Sequence, residues 1–113
     1  MVQLFVDRDL GALDRYWVPG YVQHNPKMPS GLDFFRKMIP SLGPEFRYEP
    51  GLALEDGDFV MLHGRYTGWG DKPMIGVDIF RVRDGKLFEH WDVIQEEVPA
   101  AQAVGGTAMF PIA

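Results

Sequence analysis

Apolar positions in this chain recur first with a helical period and then with a period of two. Residues 2–8 hold a short apolar run that suits one brief helix. Leu10, Leu13 and Trp17 then recur at helical spacing and predict a second short helix over 10–16, broken by Pro19-Gly20. Tyr21 to His24 reads as a short extended or irregular piece, stopped by Asn25-Pro26. Ser30, with Asp33 three residues on, has the form of an N-cap with an acidic capping partner. It predicts a helix over 31–39 with Leu32, Phe35, Met38 and Ile39 as its apolar stripe. Pro40 and Gly43-Pro44 end that helix.

From Phe46 onward the alternation is that of strands. Phe46, Tyr48, Leu52 and Leu54 alternate with polar or small residues, and Pro50-Gly51 in their midst predicts an edge strand with a kink or bulge. Turns at 55–58, 70–73 and Asp84-Gly85 divide the rest into strands over 59–69, 74–82 and 87–96. Helices followed by a four-stranded antiparallel meander is an α+β pattern. Three of the strands reach about nine residues, longer than the usual five or six, and long strands with bulges curl. N-terminal helices packed on such a curved sheet make an α+β cone with a pocket, in a single domain over residues 1–113.

Composition narrows the function. Apolar residues are 46% and charged residues 24% of the 113, ordinary for a globular domain. A net charge of -5, with Lys and Arg scattered along the chain, argues against nucleic acid as a partner. No apolar run approaches the roughly 20 residues that span a bilayer, so no membrane association is expected. The absence of cysteine excludes disulfides and thiolate chemistry and fits a cytoplasmic location.

The candidate chemistry lies in the hairpin from Asp78 to Gln95. Asp78 and Asp92 each sit in a mostly apolar strand, and His90 shares a strand face with Asp92. A carboxylate in such surroundings loses hydration, which suits a general acid or base. Cooperation between the two acids depends on the turn. A two-residue loop, with Arg83 opposite Lys86, would send Asp78 to the other face from Asp92. A three-residue loop over 83–85 places Asp78, Phe80, Phe88, His90 and Asp92 together. The three-residue loop is favoured because it keeps Arg83 and Lys86 from lying opposite one another. The other face, with Val77, Ile79, Trp91 and Val93, is too apolar for water and predicts a partner subunit.

Each acid also has a structural reading. Asp92 would serve as a hydrogen-bond acceptor for the backbone or His24, and Asp78 would pair with Arg65. His24 and Asn25 would stabilise a turn, and His63 would be a core histidine instead of a pocket residue. No short ligand spacing such as HxxxH links the histidines, so no metal is expected, and no phosphate loop or dinucleotide fingerprint implies another cofactor.

Tyr21-Val-Gln-His-Asn-Pro26, Glu55-Asp-Gly-Asp58, Asp78-Ile-Phe-Arg81, Asp84-Gly-Lys86 and Glu89-His-Trp-Asp92 with Gln95 together resemble the SnoaL-like polyketide cyclase family. That family belongs to the nuclear transport factor 2-like superfamily. The resemblance runs from about Leu4 to Phe110 and is that of the uncharacterised branch. It implies a cone, a homodimer through the outer sheet face, and a pocket for a small hydrophobic molecule. It also implies cofactor-free chemistry with an acid on the last strand as base, the place of Asp92. Asp78 stands where a cyclase carries a histidine, a departure from the pattern. His24 and Asn25 match the polar loop at the pocket, and Tyr21, His63, Trp69, Phe80, Phe88 and His90 would line it. The related epoxide hydrolases need an arginine where this chain has Gly76. Two functions follow: a cofactor-independent lyase, isomerase or cyclase with Asp92, Asp78 and His24 as catalytic residues, or a non-catalytic dimeric module for a small hydrophobic ligand.

Overall fold

The change of period at Phe46 is also a change of layer. In the computed structural model, which describes residues 2–112, everything before it is short helix apart from one strand and the connecting loops. A π-helical turn over Val2–Val6 leads to α1 (Gly11–Tyr16), β1 (Trp17–Gln23) and α2 (Asp33–Ser41). Four strands follow: β2 (Arg47–Asp56), β3 (Phe59–Thr67), β4 (Met74–Arg83) and β5 (Lys86–Glu96). The helices pack across one face of a curved, unclosed sheet, the α+β cone that the pattern predicts.

The sheet has five strands, not four, in the order β1-β5-β4-β3-β2. The added strand begins at Trp17 and runs parallel to β5, so the sheet is mixed. Pro19-Gly20 does not separate a helix from a loop. It sits inside β1, where the register shifts between Trp17 and Val22. Proline is tolerated there because β1 is an edge strand. The other edge, β2, has its own shift between Pro50 and Ala53, where the kink was expected.

Helix α2 starts later than predicted, and Ser30 is not its cap. Leu32 takes that position without a side-chain bond, and Ser30 Oγ instead accepts the Gln23 backbone N–H at 3.0 Å. That bond ties the loop before α2 to strand β1. The core lies between helices and sheet. Leu4, Leu13, Trp17, Tyr21, Phe35 and Ile39 come from the helical half, with Tyr48 and Tyr66 rising from the sheet.

The hairpin between β4 and β5 decides the site. Its turn is the two-residue kind, with Asp84 (φ 54) and Gly85 (φ 74) both left-handed and Arg83 opposite Lys86. The three-residue loop is therefore wrong. The two cations are tolerated because Arg83 stacks over Phe88, 4.8 Å from its ring centre. The acids nevertheless share a face. Val82 pairs with Leu87 but Arg81 pairs with Glu89, so Phe88 is an extra residue in β5. This bulge restores the parity that the turn removes, and Asp78 comes to lie directly opposite Asp92.

One glycine is indispensable to the closure of the helical layer on the sheet. Gly68 has φ +82, and a Cβ there would fall 2.4 Å from the Glu45 carbonyl oxygen. Backbone cannot give way as a side-chain tip can. Gly68→Ala is expected to cost about 2 kcal/mol or more, measured by urea unfolding.

Candidate functional site

The concave face of β4 and β5 holds a buried polar group of three residues. Asp78 and His90 are 2% and 5% exposed, and the Asp92 side chain is 6% exposed. Asp78 Oδ2 accepts the Tyr66 hydroxyl at 2.6 Å, and Asp78 Oδ1 lies 2.7 Å from His90 Nε2. Burial first, and the Asp78 charge second, push the Tyr66 phenol well above its ordinary value, so it is a lasting donor.

The protonation of His90 follows from its neighbours. The Asn25 backbone N–H donates to Gln23 Oε1 at 3.0 Å, which identifies that atom as the amide oxygen. His90 Nδ1 is 2.5 Å from the same oxygen and therefore carries a proton. Nε2 then faces a carboxylate, so one proton is shared between His90 and Asp78. Asp92 Oδ2 is 3.8 Å from the same Nε2. One imidazole nitrogen thus faces both acids.

Asp92 is held from the loop after β1. Asn25 Nδ2 lies 3.0 and 2.8 Å from its two oxygens. Asn25 is itself fixed, since its Oδ1 accepts the Lys27 backbone N–H at 2.8 Å in an Asx turn. The Asn25-Pro26 turn signal therefore has a specific use, to aim an amide at the acid.

Two spaces meet at Asp92. A small inner chamber of about 20 Å³, room for one water-sized group, is lined by Tyr21, Gln23, Tyr66, Asp78, His90 and Asp92. A larger open cavity of about 920 Å³ lies between α2, the loop after β1 and the ends of β4 and β5. Met28, Trp69, Asp92 and Ile94 line both.

The structure brings together Asp78, Asp92, His90, Asn25, Tyr21, Phe80 and Trp69. The Phe80 ring packs 4.8 Å from that of His90, and Tyr21 stacks on it at 6.3 Å. Three other candidates lie elsewhere. His24, a predicted catalytic residue, is on the outer side, where it stacks on Trp91 at 4.7 Å and meets Glu89 at 2.8 Å. Strand alternation sends it opposite to Gln23. His63 pairs with Val77 on the outer face and stacks on Phe110 at 5.6 Å. Phe88 is the bulge residue and lies beneath Arg83 instead of in the cavity. Nor does Arg65 reach Asp78; it bonds Glu97 at 2.7 and 2.9 Å. Arg81 lies directly opposite Glu89 at 3.1 Å, with an angle too poor for a hydrogen bond.

Tyr66 and Gln23 are the members that sequence reasoning missed. Parity offers a signal for both. Tyr66 is paired to Met74, four positions before Asp78 on the same face, and Gln23 follows Tyr21 on alternate positions of one strand.

Asp78, His90 and Asp92 also offer three ligand atoms within 4.8 Å of one another, of types that suit zinc or iron. The 2.7 Å contact between Asp78 and His90 is that of a shared proton, which a cation would have to displace.

A curved α+β cone of short helices on an unclosed sheet is the architecture of the nuclear transport factor 2-like proteins. Within that class the chain belongs to the SnoaL-like domain family, whose model matches residues 1–90. Asp92 lies just beyond the matched stretch. Among solved structures it is similar to TsrD of Streptomyces laurentii (19% identity, TM-score 0.67, 82% of this chain and 81% of that one). It is also similar to a protein of unknown function with a cystatin-like fold from Xanthomonas campestris (18%, TM-score 0.69, 84% of each). A third is IdmH of Streptomyces antibioticus, itself a proposed polyketide cyclase (20%, TM-score 0.62, 81% and 84%). At these identities the likeness shows the fold. No curated protein matches. No helix among the described residues is long and apolar enough to cross a membrane.

Proposed function

We propose that the chain binds a small apolar carbonyl compound in the large cavity, and that Asp92 abstracts a proton next to the carbonyl. The reaction would be that of a cofactor-independent lyase, isomerase or cyclase. The observation that carries this reading is the place of Asp92, among the described residues the one acid that lines both the open cavity and the inner chamber. A proton taken by Asp92 leaves an enolate, whose oxygen enters the chamber. Burial pushes the Tyr21 phenol above its ordinary value, which keeps it protonated as the donor for that oxygen. His90 Nε2 lies within reach of both acids, 2.7 Å from Asp78 and 3.8 Å from Asp92. The enolate is then reprotonated at another carbon, loses a leaving group, or attacks a second carbonyl whose oxygen takes the proton back from Asp92.

The test is α-proton exchange of an aryl β-keto ester in D2O, followed by NMR. Wild type should exchange the α-proton, and Asp92→Asn should slow the exchange by about 10²-fold or more, the usual worth of a general base. Equal rates in the two proteins would sink the mechanism. His24→Ala, outside the cavity, should leave the rate unchanged and lower stability by about 0.5–1 kcal/mol through lost stacking and ion pairing.

A second reading has its own support. Both Asp92 oxygens already lie within hydrogen-bond reach of Asn25, as in an acid that only shapes a binding site. The chain would then be a dimeric binding module, and ligand would bind with no exchange above background. Either reading includes a homodimer through the outer sheet face, where Val93 is 71% and Met61 40% exposed. Both also place the protein in the cytoplasm, in keeping with its lack of cysteine. Sedimentation of Val93→Asp against wild type checks the dimer, with a shift to monomer expected.

A further inference from the structure

Helix α2 has two lined faces. Leu32, Phe35 and Ile39 are buried in the core, while Phe34, Lys37, Met38 and Ser41 recur at spacings of three and four along the large cavity. Lys37 therefore stands where an apolar residue would continue the stripe. Arg36, one position away, turns outward and pairs with Asp14 at 3.1 Å. The second cation on the cavity is Lys27, whose backbone is fixed by the Asx turn of Asn25.

These two lysines differ from five of the chain's eleven cations. Arg15, Arg36, Arg65, Lys72 and Arg81 are each ion-paired, whereas Lys27 and Lys37 have no carboxylate partner among the described residues. Both are exposed. The sole acid on the cavity among the described residues, Asp92, has a nearly buried carboxylate turned to Asn25. A chain of net charge -5 thus presents two free cations and no free anion around an apolar space walled by Met28, Phe34, Met38, Trp69 and Met74. Local reversal of charge sign at a concave apolar site selects for a ligand of the opposite charge.

We propose that the ligand is an amphipathic carboxylic acid. Its apolar body lies against the methionines and aromatic rings, and its carboxylate is held by Lys27 and Lys37. This inference rests on the large cavity being the ligand site, as proposed above, and adds the charge of what fills it. The reacting carbonyl is then a second group of the ligand, carried toward Asp92.

Isothermal titration with decanoate, methyl decanoate and decylamine, each below its micelle concentration, tests this. Wild type should bind decanoate about ten-fold more tightly than the ester, which corresponds to about 1.4 kcal/mol, and decylamine most weakly. The preference should shrink as salt is added. In the Lys27→Gln/Lys37→Gln variant, acid and ester should bind within about two-fold of each other, with the ester affinity unchanged from wild type. Equal binding of acid and ester by wild type, or a preference that survives in the double variant, overturns the proposal while leaving the cavity as the ligand site. Binding of none of the three overturns the ligand site and this inference together.

Discussion

Asp78→Ala is expected to destabilise the protein by about 3–5 kcal/mol, the cost of breaking a buried pair by removing one partner. Asp78 is the acceptor on which the buried network converges. Its two oxygens take the Tyr66 hydroxyl at 2.6 Å and the His90 proton at 2.7 Å. With the carboxylate gone, a phenol held protonated by burial and an imidazole that is 95% buried both lose their partner. The adjoining chamber holds room for one water-sized group, too little to hydrate both. Tyr66→Phe removes a single donor and leaves the acid paired with His90. It should cost about 1–2 kcal/mol. Urea unfolding of both variants checks the ordering, and an Asp78→Ala variant within about 1 kcal/mol of wild type would refute the network's structural weight.

The amino-acid pattern makes the strand half legible and the first half much less so. Strands β2 to β5 show a period of two that no helix imitates, and their turns contain Gly or Pro at the required places. Strand β1 is hidden because Pro19 and Gly20 break every local rule for strands. Its pairing to β5 is parallel and therefore non-local, so nothing near it in sequence announces it. The site shows the same division. Asp78, His90 and Asp92 are legible as polar residues on an apolar strand face. His24 is misread because it lies next to Asn25 in sequence, yet alternation and the loop geometry send the two to opposite sides of the sheet. Tyr66 is missed because a tyrosine in a β-strand is ordinary, and only the cross-strand register reveals what its hydroxyl meets.

The common face of Asp78 and Asp92 was expected for an incorrect reason, and the correct one yields a sharper prediction. What matters is the parity of residues between the acids, not the loop type. A two-residue turn alone would put His90 and Asp92 on the outer face. The extra residue at Phe88 reverses that, and Asp78 then pairs with Asp92 and Phe80 with His90. Removing Phe88 should therefore be mild. Val82 would pair with Leu87 and Arg81 with Glu89 as now, in an unbroken ladder with the site intact. Inserting one alanine between Glu89 and His90 should be ruinous. The alanine takes the place opposite Phe80, His90 and Asp92 swing to the outer face, and Trp91 is driven against Asp78. Asp78, Gln23 and Asn25 lose their partners together, and the parallel pairing of β1 to β5 slips as well. The combined loss is comparable with the whole stability of a domain this size, about 5–15 kcal/mol, so the insertion variant should not fold. Circular dichroism and thermal unfolding distinguish the two variants. A folded insertion variant, or a deletion variant that fails to fold, would show that parity at this bulge is not what holds the acids together.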